Sequence, residues 1–250
     1  MKMDIYHEFD FNGYLIIRNF FKMDDINLLK YSIEHLIKFK IKDLPRDQVY
    51  YENIKQPSSL KQIQKLFNHG SYFYNLMYGS RFEKLAKKLL RGPVIAKNMQ
   101  YFNKSPKLSK PTPPHQDGYY FMIQPCEAIT MWLALDHINE QNGCIRYVRG
   151  SHLKGLRTHN FSNILGFSQT ITDYGQPCDL DEEITVKANP GDLFIHNAKT
   201  IHLADANMSL DCNRRSIGFI YYSTRAKENL MAHQNYQNKL TETLVQLGKI

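Results

Sequence analysis

The chain has 250 residues, of which 42% are hydrophobic and 22% are charged, as expected of a globular protein with a sizeable core. The formal net charge of +8 comes from scattered basic residues without a helix-turn-helix, zinc-finger or RNA-binding signature, which argues against nucleic acid as the partner. No run approaches the ~18 apolar residues of a membrane span, and neither an export signal nor a Cys-x-x-Cys pair is seen, so a cytoplasmic protein without a membrane partner is expected.

Helical patterns dominate the first 93 residues. A short apolar strand is predicted over residues 14–17, directly after an Asn-Gly turn signal. A helix is predicted next, because apolar residues recur at helical spacing between Ile26 and Ile37. Further helical patterns cover residues 58–67 and 82–90. Residues 1–93 are therefore expected to form a mostly helical flank with one strand near its start.

Short strands separated by Gly, Pro and Asn replace this pattern after residue 93. Such spacing predicts a sandwich or barrel, so residues 94–225 are expected to form a β core. Residues 226–250 are predicted to form a closing helix, packed on the sheet or on a partner subunit. Without a Gly/Ser-rich linker, residues 1–250 are expected to form one domain, present as a monomer or a homodimer. The predicted strands are 94–103, 115–123, 128–136, 143–149, 183–187, 192–196 and 214–223.

The stretch Pro113-Pro114-His115-Gln116-Asp117-Gly118 places an imidazole and a carboxylate two residues apart. In an extended strand, His115 and Asp117 point to the same face and can share one target. Two histidines and one carboxylate, with open positions opposite, form the metal site of non-haem Fe(II) oxygenases, so a divalent metal is the natural candidate. Alone, the pair has little specificity, because any His-x-Asp in a strand has this geometry.

Two groups further along the chain are candidates to complete such a site. His196 and His202 both follow the Gly191-Asp192 turn, and either one can supply a third ligand. Arg214 and Arg215 open a predicted strand in which period-2 alternation sends their side chains to opposite faces. A buried arginine is costly without a carboxylate, and a bidentate pair would hold a dicarboxylic co-substrate. One of the two is the candidate anchor, and the other is a surface residue.

In this order, His115-x-Asp117, His202 and Arg214 resemble the phytanoyl-CoA dioxygenase family of Fe(II)/2-oxoglutarate oxygenases. The resemblance extends from Gly13 to Tyr222 and is to generic bacterial members more than to the peroxisomal enzyme. Its most specific parts are His115-Gln116-Asp117, Trp132-Leu133-Ala134-Leu135-Asp136, Asn142-Gly143-Cys144-Ile145-Arg146, Gly150-Ser151-His152 and Gly191-Asp192 to His202.

The resemblance implies a mainly β fold with flanking helices, built on a double-stranded β-helix (jelly-roll, cupin-like) core. It implies Fe(II) held by His115, Asp117 and His202, a set that favours His202 over His196. The implied co-substrates are 2-oxoglutarate and O2. The implied reaction is the hydroxylation of a small molecule with release of succinate and CO2.

The resemblance also implies how 2-oxoglutarate is held. Arg214, seven residues before the aromatic Tyr221, is expected to pair with the distal carboxylate. Gln100 and Trp132 align with positions that contact the co-substrate. The sole tryptophan is equally expected as a packing residue of the core.

The sequence says less about the substrate. Tyr119 and Tyr120 follow the metal ligands and are predicted to line the pocket. The long segment between Ser151 and Glu182 has the length of a lid or binding loop. Its polar residues suggest a small polar or anionic substrate, although they are equally expected to fix the loop itself; they are Arg157, His159, Gln169 and Asp173. Two other classes stay open, a non-catalytic metal- or 2-oxoglutarate-binding protein and a cupin-type metal-dependent isomerase.

Overall fold

The computed structural model describes residues 4–164 and 167–246. Residues 247–250 of the predicted closing helix lie outside the described residues. Within the described ranges, no helix combines the length and the apolar character needed to cross a membrane.

Residues 4–93 are mostly helical, but they contain three strands where one was predicted. In α2 the apolar residues Ile26, Leu29 and Ile33 are buried, because their spacing places them on one face of the helix. At the start of α4, Ser80 accepts hydrogen bonds from the backbone N–H groups of Phe82 and Glu83. The elements are α1 (Ile5–Asn12), β1 (Tyr14–Ile17), α2 (Met23–Phe39), β2 (Val49–Tyr51), β3 (Leu60–Ile63), α3 (Ser71–Met77) and α4 (Arg81–Leu89), with 3-10 turns at Ile41–Asp43, Arg46–Gln48, Pro57–Ser59 and Leu66–Asn68.

The helix predicted over residues 58–67 is wrong. Leu60–Ile63 is a strand, flanked by 3-10 turns, and it pairs with β2 on one side. On the other side Gln62 and Ile63 stand opposite Phe102 and Tyr101 in the next strand of the sheet. This pairing between residues distant in the sequence outweighs the local helical pattern.

Strands dominate from residue 94 onward, and most of the predicted strands are present with small shifts at their ends. The closing helix begins at Leu230 rather than at residue 226, because a short strand precedes it. The elements are β4 (Val94–Lys104), β5 (Thr112–His115), α5 (Asp117–Phe121), β6 (Ile123–Gln124), β7 (Ala128–Ala134), β8 (Ile145–Val148), β9 (His159–Ile164), β10 (Phe167–Ile171), α6 (Pro177–Leu180), β11 (Glu183–Val186), β12 (Leu193–Asn197), β13 (His202–Ala204), β14 (Arg214–Ser223), β15 (Lys227–Glu228) and α7 (Leu230–Gln246), with a 3-10 turn at Ser151–Lys154.

The strand predicted over residues 115–123 is also wrong. His115 is the last residue of β5, and Asp117 is the first residue of the short helix α5. The chain turns here because the Gly118 N–H donates to the Ala198 carbonyl across 2.7 Å. A Cβ at this glycine would lie 2.4 Å from Sγ of Cys126, so the close approach requires glycine.

The strands form a jelly roll. The larger sheet has the order β1-β12-β7-β14-β4-β3-β2, and a smaller facing sheet has the order β11-β8-β13-β5. All of these pairings are antiparallel, and successive core strands pass between the two sheets. This arrangement confirms the predicted fold class.

The two faces of the larger sheet pack against different partners. On the outer face, Phe219 of β14 stacks on Phe82 of α4 with ring centroids 3.9 Å apart. On the inner face, Trp132 of β7 and Phe194 of β12 belong to a cluster shared with Tyr147 of the smaller sheet. The helices therefore cover the outer face, and the inner face is left for a site between the sheets.

Candidate metal and co-substrate site

Three side chains from β5, α5 and β13 converge between the sheets. His202 stands directly opposite His115 in the pairing of β13 with β5. Nε2 of His115 lies 3.6 Å from Oδ1 of Asp117, and Nε2 of His202 lies 3.7 Å from the same oxygen. One ligand atom from each residue lies within 4.8 Å of the others, so the three can hold a metal ion.

Hydrogen bonds to the backbone set the tautomers of the two histidines. Nδ1 of His115 lies 2.7 Å from the Pro113 carbonyl, and Nδ1 of His202 lies 3.0 Å from the Thr200 carbonyl. A carbonyl only accepts, so each Nδ1 carries the hydrogen and donates it. The Nε2 lone pair of each ring is therefore directed at the shared centre, as in metal-binding histidines.

The charge states of the ligands also suit a cation. Burial acts to raise the pKa of Asp117, but the neighbouring imidazoles of His202, His115 and His196 hold that pKa well below its usual range. For His202, burial and the neighbouring His115 and His196 hold the pKa well below its usual range. The site thus presents an anionic carboxylate and a neutral imidazole, the forms that bind metals.

The second carboxylate oxygen of Asp117 is held by two other residues. Oδ2 accepts a hydrogen bond from the Thr130 hydroxyl and a second one, 3.1 Å long, from Nε2 of His196. Nδ1 of His196 in turn lies 3.0 Å from the Tyr147 hydroxyl, from which it accepts a hydrogen. His196, the alternative third ligand, therefore points to the carboxylate, while His202 belongs to the ligand cluster.

The two arginines of β14 do point to opposite faces. Arg215 reaches outward and pairs with Asp136 at 2.9 Å and with Glu34 at 3.1 Å. Arg214 points inward and is only 4% exposed, and its guanidinium carbon lies 4.2 Å from the ring centroid of Trp132. Burial lowers the pKa of Arg214 to about 9, and its Nε has no hydrogen-bond partner among the described residues.

A cavity of about 670 Å³ lies between the sheets. It connects the metal-ligand cluster with the guanidinium of Arg214, and it is large enough for a co-substrate and a second molecule. The predicted site residues that line it are Gln100, His115, Asp117, Tyr120, Trp132, His202 and Arg214.

Gln100 and Trp132 both lie on this wall. Gln100 accepts a hydrogen bond from Nε2 of Gln62. Trp132 stacks on Phe194 with ring centroids 5.7 Å apart and also carries Arg214 on its face. The two roles weighed for Trp132, packing and a place beside the co-substrate, are therefore compatible.

Five residues predicted to bind the substrate do not line this cavity in the described part of the chain; they are Tyr119, Arg157, His159, Gln169 and Asp173. Arg157 forms 2.7 Å ion pairs with Asp173 and Asp179, so its positive charge is already balanced by two carboxylates of the protein. The backbone of Gln169 binds the Tyr120 hydroxyl through both its N–H and its carbonyl, each at 3.1 Å. These contacts fix Arg157 and Gln169 within the segment from Ser151 to Glu182.

His159 supports the turn between two ligands. Its ring stacks on Tyr119 with centroids 4.2 Å apart, and its Nε2 accepts a 3.0 Å hydrogen bond from the backbone N–H of Gln116. The Gln116 side chain donates to the carbonyls of Gly155 and Lys199 and accepts from the Arg157 N–H. Hydrogen bonds to its backbone and its side chain therefore hold Gln116 in place between His115 and Asp117.

Two groups of cavity residues were missed in the sequence. Gln62 and Gln64 flank Ile63, and their period-2 spacing marks one face of a strand. His233, Tyr236 and Leu240 of α7 also line the cavity, and their spacing marks one face of a helix. Both patterns can be read from the sequence, but the sequence does not show that these faces of the strand and of the helix line the cavity.

Comparison with known proteins agrees with this geometry. A relative named "Phytanoyl-CoA dioxygenase" from Arabidopsis thaliana is 26% identical, covering 83% of each chain. A "Probable phytanoyl-CoA dioxygenase" from Caenorhabditis elegans is also 26% identical, covering 94% of this chain and 78% of the relative. These names describe the two relatives and are not assigned to this chain.

Solved structures share the fold. The epimerase SnoN, in complex with Fe3+, alpha ketoglutarate and nogalamycin RO, has a TM-score of 0.72 at 22% identity, covering 90% of this chain and 84% of that one. EctD from S. alaskensis, with 2-oxoglutarate and 5-hydroxyectoine, has a TM-score of 0.71 at 17% identity, covering 88% and 75%. The family model described as "Phytanoyl-CoA dioxygenase (PhyH)" matches residues 9–216. The chain therefore belongs to the phytanoyl-CoA dioxygenase family, as its motifs indicated.

Proposed function

We propose that the protein is an Fe(II)- and 2-oxoglutarate-dependent dioxygenase that hydroxylates a small molecule and releases succinate and CO2. The observation that carries the proposal is the inward guanidinium of Arg214 on the same cavity as His115, Asp117 and His202. A buried cation without a carboxylate is unfavourable, and the distal carboxylate of 2-oxoglutarate supplies that partner. Family membership supports the same class of enzyme.

Each residue of the site has its own role in binding the metal. His115 and His202 offer Nε2, and Asp117 offers Oδ1 while its other oxygen is held by Thr130 and His196. Iron bound there, with 2-oxoglutarate and O2, supplies the chemistry that inserts one oxygen atom into a C–H bond of the substrate.

The remaining tasks are orientation and exclusion of water. Trp132 fixes the plane of the Arg214 guanidinium, so the anchor is oriented before the co-substrate enters. Tyr120 and Phe121 add aromatic surface to the cavity wall. Such a wall excludes water and strengthens the pairing of Arg214 with a carboxylate.

Two other classes are disfavoured by specific features. A cupin-type isomerase needs the metal ligands but has no use for the inward Arg214. A non-catalytic binding protein tolerates loss of one ligand, whereas here the three ligand atoms converge. We also propose that the protein acts in the cytoplasm, a compartment compatible with the free thiols of its cysteines.

The test is metal-dependent binding and turnover of 2-oxoglutarate. Calorimetry with Mn(II) is expected to show 2-oxoglutarate binding that Asp117→Ala and His115→Ala weaken more than tenfold. With Fe(II) and O2, the wild type is expected to convert 2-oxoglutarate to succinate. His137→Ala, at an exposed position outside the ligand cluster, is the matched control and should behave as the wild type. Absence of metal-dependent 2-oxoglutarate binding would contradict the proposal.

A further inference from the structure

The cavity has a wall of side-chain amides, most of which the metal and the co-substrate do not account for. The larger sheet continues past β4 into β3 and β2, and this extension faces the cavity. Because side chains alternate along a strand, one face of the extension collects a set of polar residues. The amides on this wall are Gln48, Gln62, Gln64, Asn98 and Gln100.

Two of these amides have an acceptor oxygen without a partner. Oε1 of Gln62 is buried and accepts no hydrogen bond in the described part of the chain, and the residue is only 3% exposed. Oε1 of Gln48 is also buried and without a partner among the described residues, although Gln48 as a whole is half-buried. Leaving a buried acceptor unpaired is unfavourable, so these oxygens are suited to a ligand that donates hydrogens.

The pairing of Gln62 with Gln100 does not remove this acceptor. Nε2 of Gln62 donates to Oε1 of Gln100, which leaves the oxygen of Gln62 for the ligand. Reversing both amides would exchange the residue that presents an oxygen but would still leave one acceptor unpaired. In either orientation of the amides, one oxygen of the Gln62–Gln100 pair is therefore left to accept a hydrogen bond from the ligand.

The buried and half-buried lysines of the same region are already matched, whereas Lys65 on the cavity wall is exposed. Lys61 pairs with Glu52 at 3.0 Å, and Lys97 pairs with Glu228 at 2.6 Å. Nζ of the buried Lys104 donates to the Lys110 carbonyl across 2.7 Å, and its burial, with the nearby Arg214, holds its pKa well below the usual range. These three cations are engaged within the protein, which disfavours a phosphate or carboxylate of the substrate in the buried part of the cavity.

An aromatic surface faces the cavity as well. Tyr120 and Phe121 of α5, Tyr222 of β14 and Tyr236 of α7 are on its wall. A volume of about 670 Å³ exceeds the needs of a five-carbon diacid, and ligand cavities of 300–1,000 Å³ accommodate molecules of drug size. The remaining space thus has amide acceptors and aromatic rings on its walls.

We propose that the substrate is an uncharged molecule with neighbouring hydroxyl or amide donors and an apolar portion, held by Gln48 and Gln62 and packed on the aromatic residues. The inference rests on the proposed function, since it assigns the second molecule of the same cavity. It separates this protein from an enzyme whose substrate carries an anionic group into the buried part of the cavity.

Three matched probes test the class of substrate on protein loaded with Zn(II) and 2-oxoglutarate. Phenyl β-D-glucopyranoside is neutral and carries hydroxyl donors, phenyl β-D-glucuronide adds a carboxylate, and 2-phenoxytetrahydropyran lacks the hydroxyls. Calorimetry or ligand-observed NMR is expected to show the glucoside binding at least fivefold more tightly than either of the other two. This factor is the fold-change for one net hydrogen bond of about 1 kcal/mol.

Variants connect the preference to the amide wall. Gln62→Leu and Gln48→Leu are each expected to weaken glucoside binding about fivefold, while Gln141→Leu, at an exposed position away from this wall, has no effect. Gln48 stands opposite Gln64 rather than Gln100, so its variant reports on the substrate rather than on the co-substrate.

The inference is overturned if the glucuronide binds as tightly as the glucoside, if the glucoside does not bind, or if both leucine variants bind it like the wild type. 2-Oxoglutarate affinity is measured on the same samples. If 2-oxoglutarate binds while the preference is absent, only the substrate class fails. If 2-oxoglutarate itself does not bind, the proposed function fails.

Discussion

His196 and Asp117 are joined by a 3.1 Å hydrogen bond from Nε2 of the imidazole to Oδ2 of the carboxylate. Because Oδ2 also accepts from Thr130, Oδ1 is the oxygen left toward His115 and His202. The Tyr147 hydroxyl fixes the tautomer of His196 by donating to its Nδ1. His196, which the sequence offered as an alternative third ligand, thus orients the carboxylate of Asp117.

Removing this orientation should weaken metal binding. His196→Leu deletes the donor to Asp117 and is expected to raise the Kd for Mn(II) about 10–100-fold, the usual range for partners that hold a metal ligand. His196→Gln, which keeps an amide donor at a similar reach, should recover part of the loss. His137→Leu serves as the exposed control. An unchanged Kd in His196→Leu would show that Asp117 needs no such support.

The arginines of β14 should respond in opposite ways. Arg214→Met removes a buried unpaired charge, so 2-oxoglutarate affinity is expected to fall about tenfold or more while the free energy of unfolding of the ligand-free protein is unchanged or higher. Arg215→Met breaks ion pairs with Asp136 and Glu34, so the free energy of unfolding should fall by about 1–2 kcal/mol with 2-oxoglutarate affinity intact. Calorimetry and urea titration check both. Equal 2-oxoglutarate affinity in Arg214→Met and the wild type would refute the anchor.

Stability in acid should depend on His159. Burial lowers the pKa of His159 to about 4 from 6.5, while its ring accepts from the Gln116 N–H. Between pH 6.5 and 4 the unfolded chain takes up a proton that the folded protein does not. The stabilising contribution is therefore complete above pH 6.5 and is lost as the pH falls toward 4.

The measurement is urea unfolding of the metal-free protein at pH 7 and pH 5. The loss of unfolding free energy between the two pH values is expected to be smaller in His159→Phe by about 1–2 kcal/mol, since one pKa unit corresponds to ~1.4 kcal/mol. His137→Phe should retain the wild-type difference. The same pH dependence in His159→Phe and the wild type would mean that another group is responsible.

The candidate ligand residues were identified in the sequence for a reason that differs from the geometry found. His115 and Asp117 were expected to share a strand face, yet they converge because the chain turns into α5 between them. A hydrogen bond from Gly118 to Ala198, eighty residues away, makes that turn, and no local pattern contains it. The opposite directions of Arg214 and Arg215 were predicted correctly because alternation is a local property of a strand.

The substrate side was predicted less well because it depends on contacts between distant segments. The polar residues Arg157 and Asp173 suggested a binding loop, but they pair with each other and do not line the cavity. Leu60–Ile63 was expected to be helical, and as a strand it presents Gln62 to the cavity. The closing helix was predicted, whereas its place on the cavity wall was not.

The packing of α7 against the cavity should depend on Tyr236. The Tyr236 hydroxyl hydrogen-bonds with the Ser168 hydroxyl, and its ring meets Tyr120 edge-on with centroids 6.4 Å apart. Elsewhere on α7, Leu230 and Met231 are exposed, so the helix has few other apolar contacts near its start. Tyr236→Ala is therefore expected to increase amide hydrogen exchange across residues 230–246 about tenfold, and Tyr236→Phe to have a smaller effect. Lys239→Ala, at an exposed position of α7, is the control. If exchange in Tyr236→Ala equals that in Lys239→Ala, α7 is held on the cavity by residues other than Tyr236.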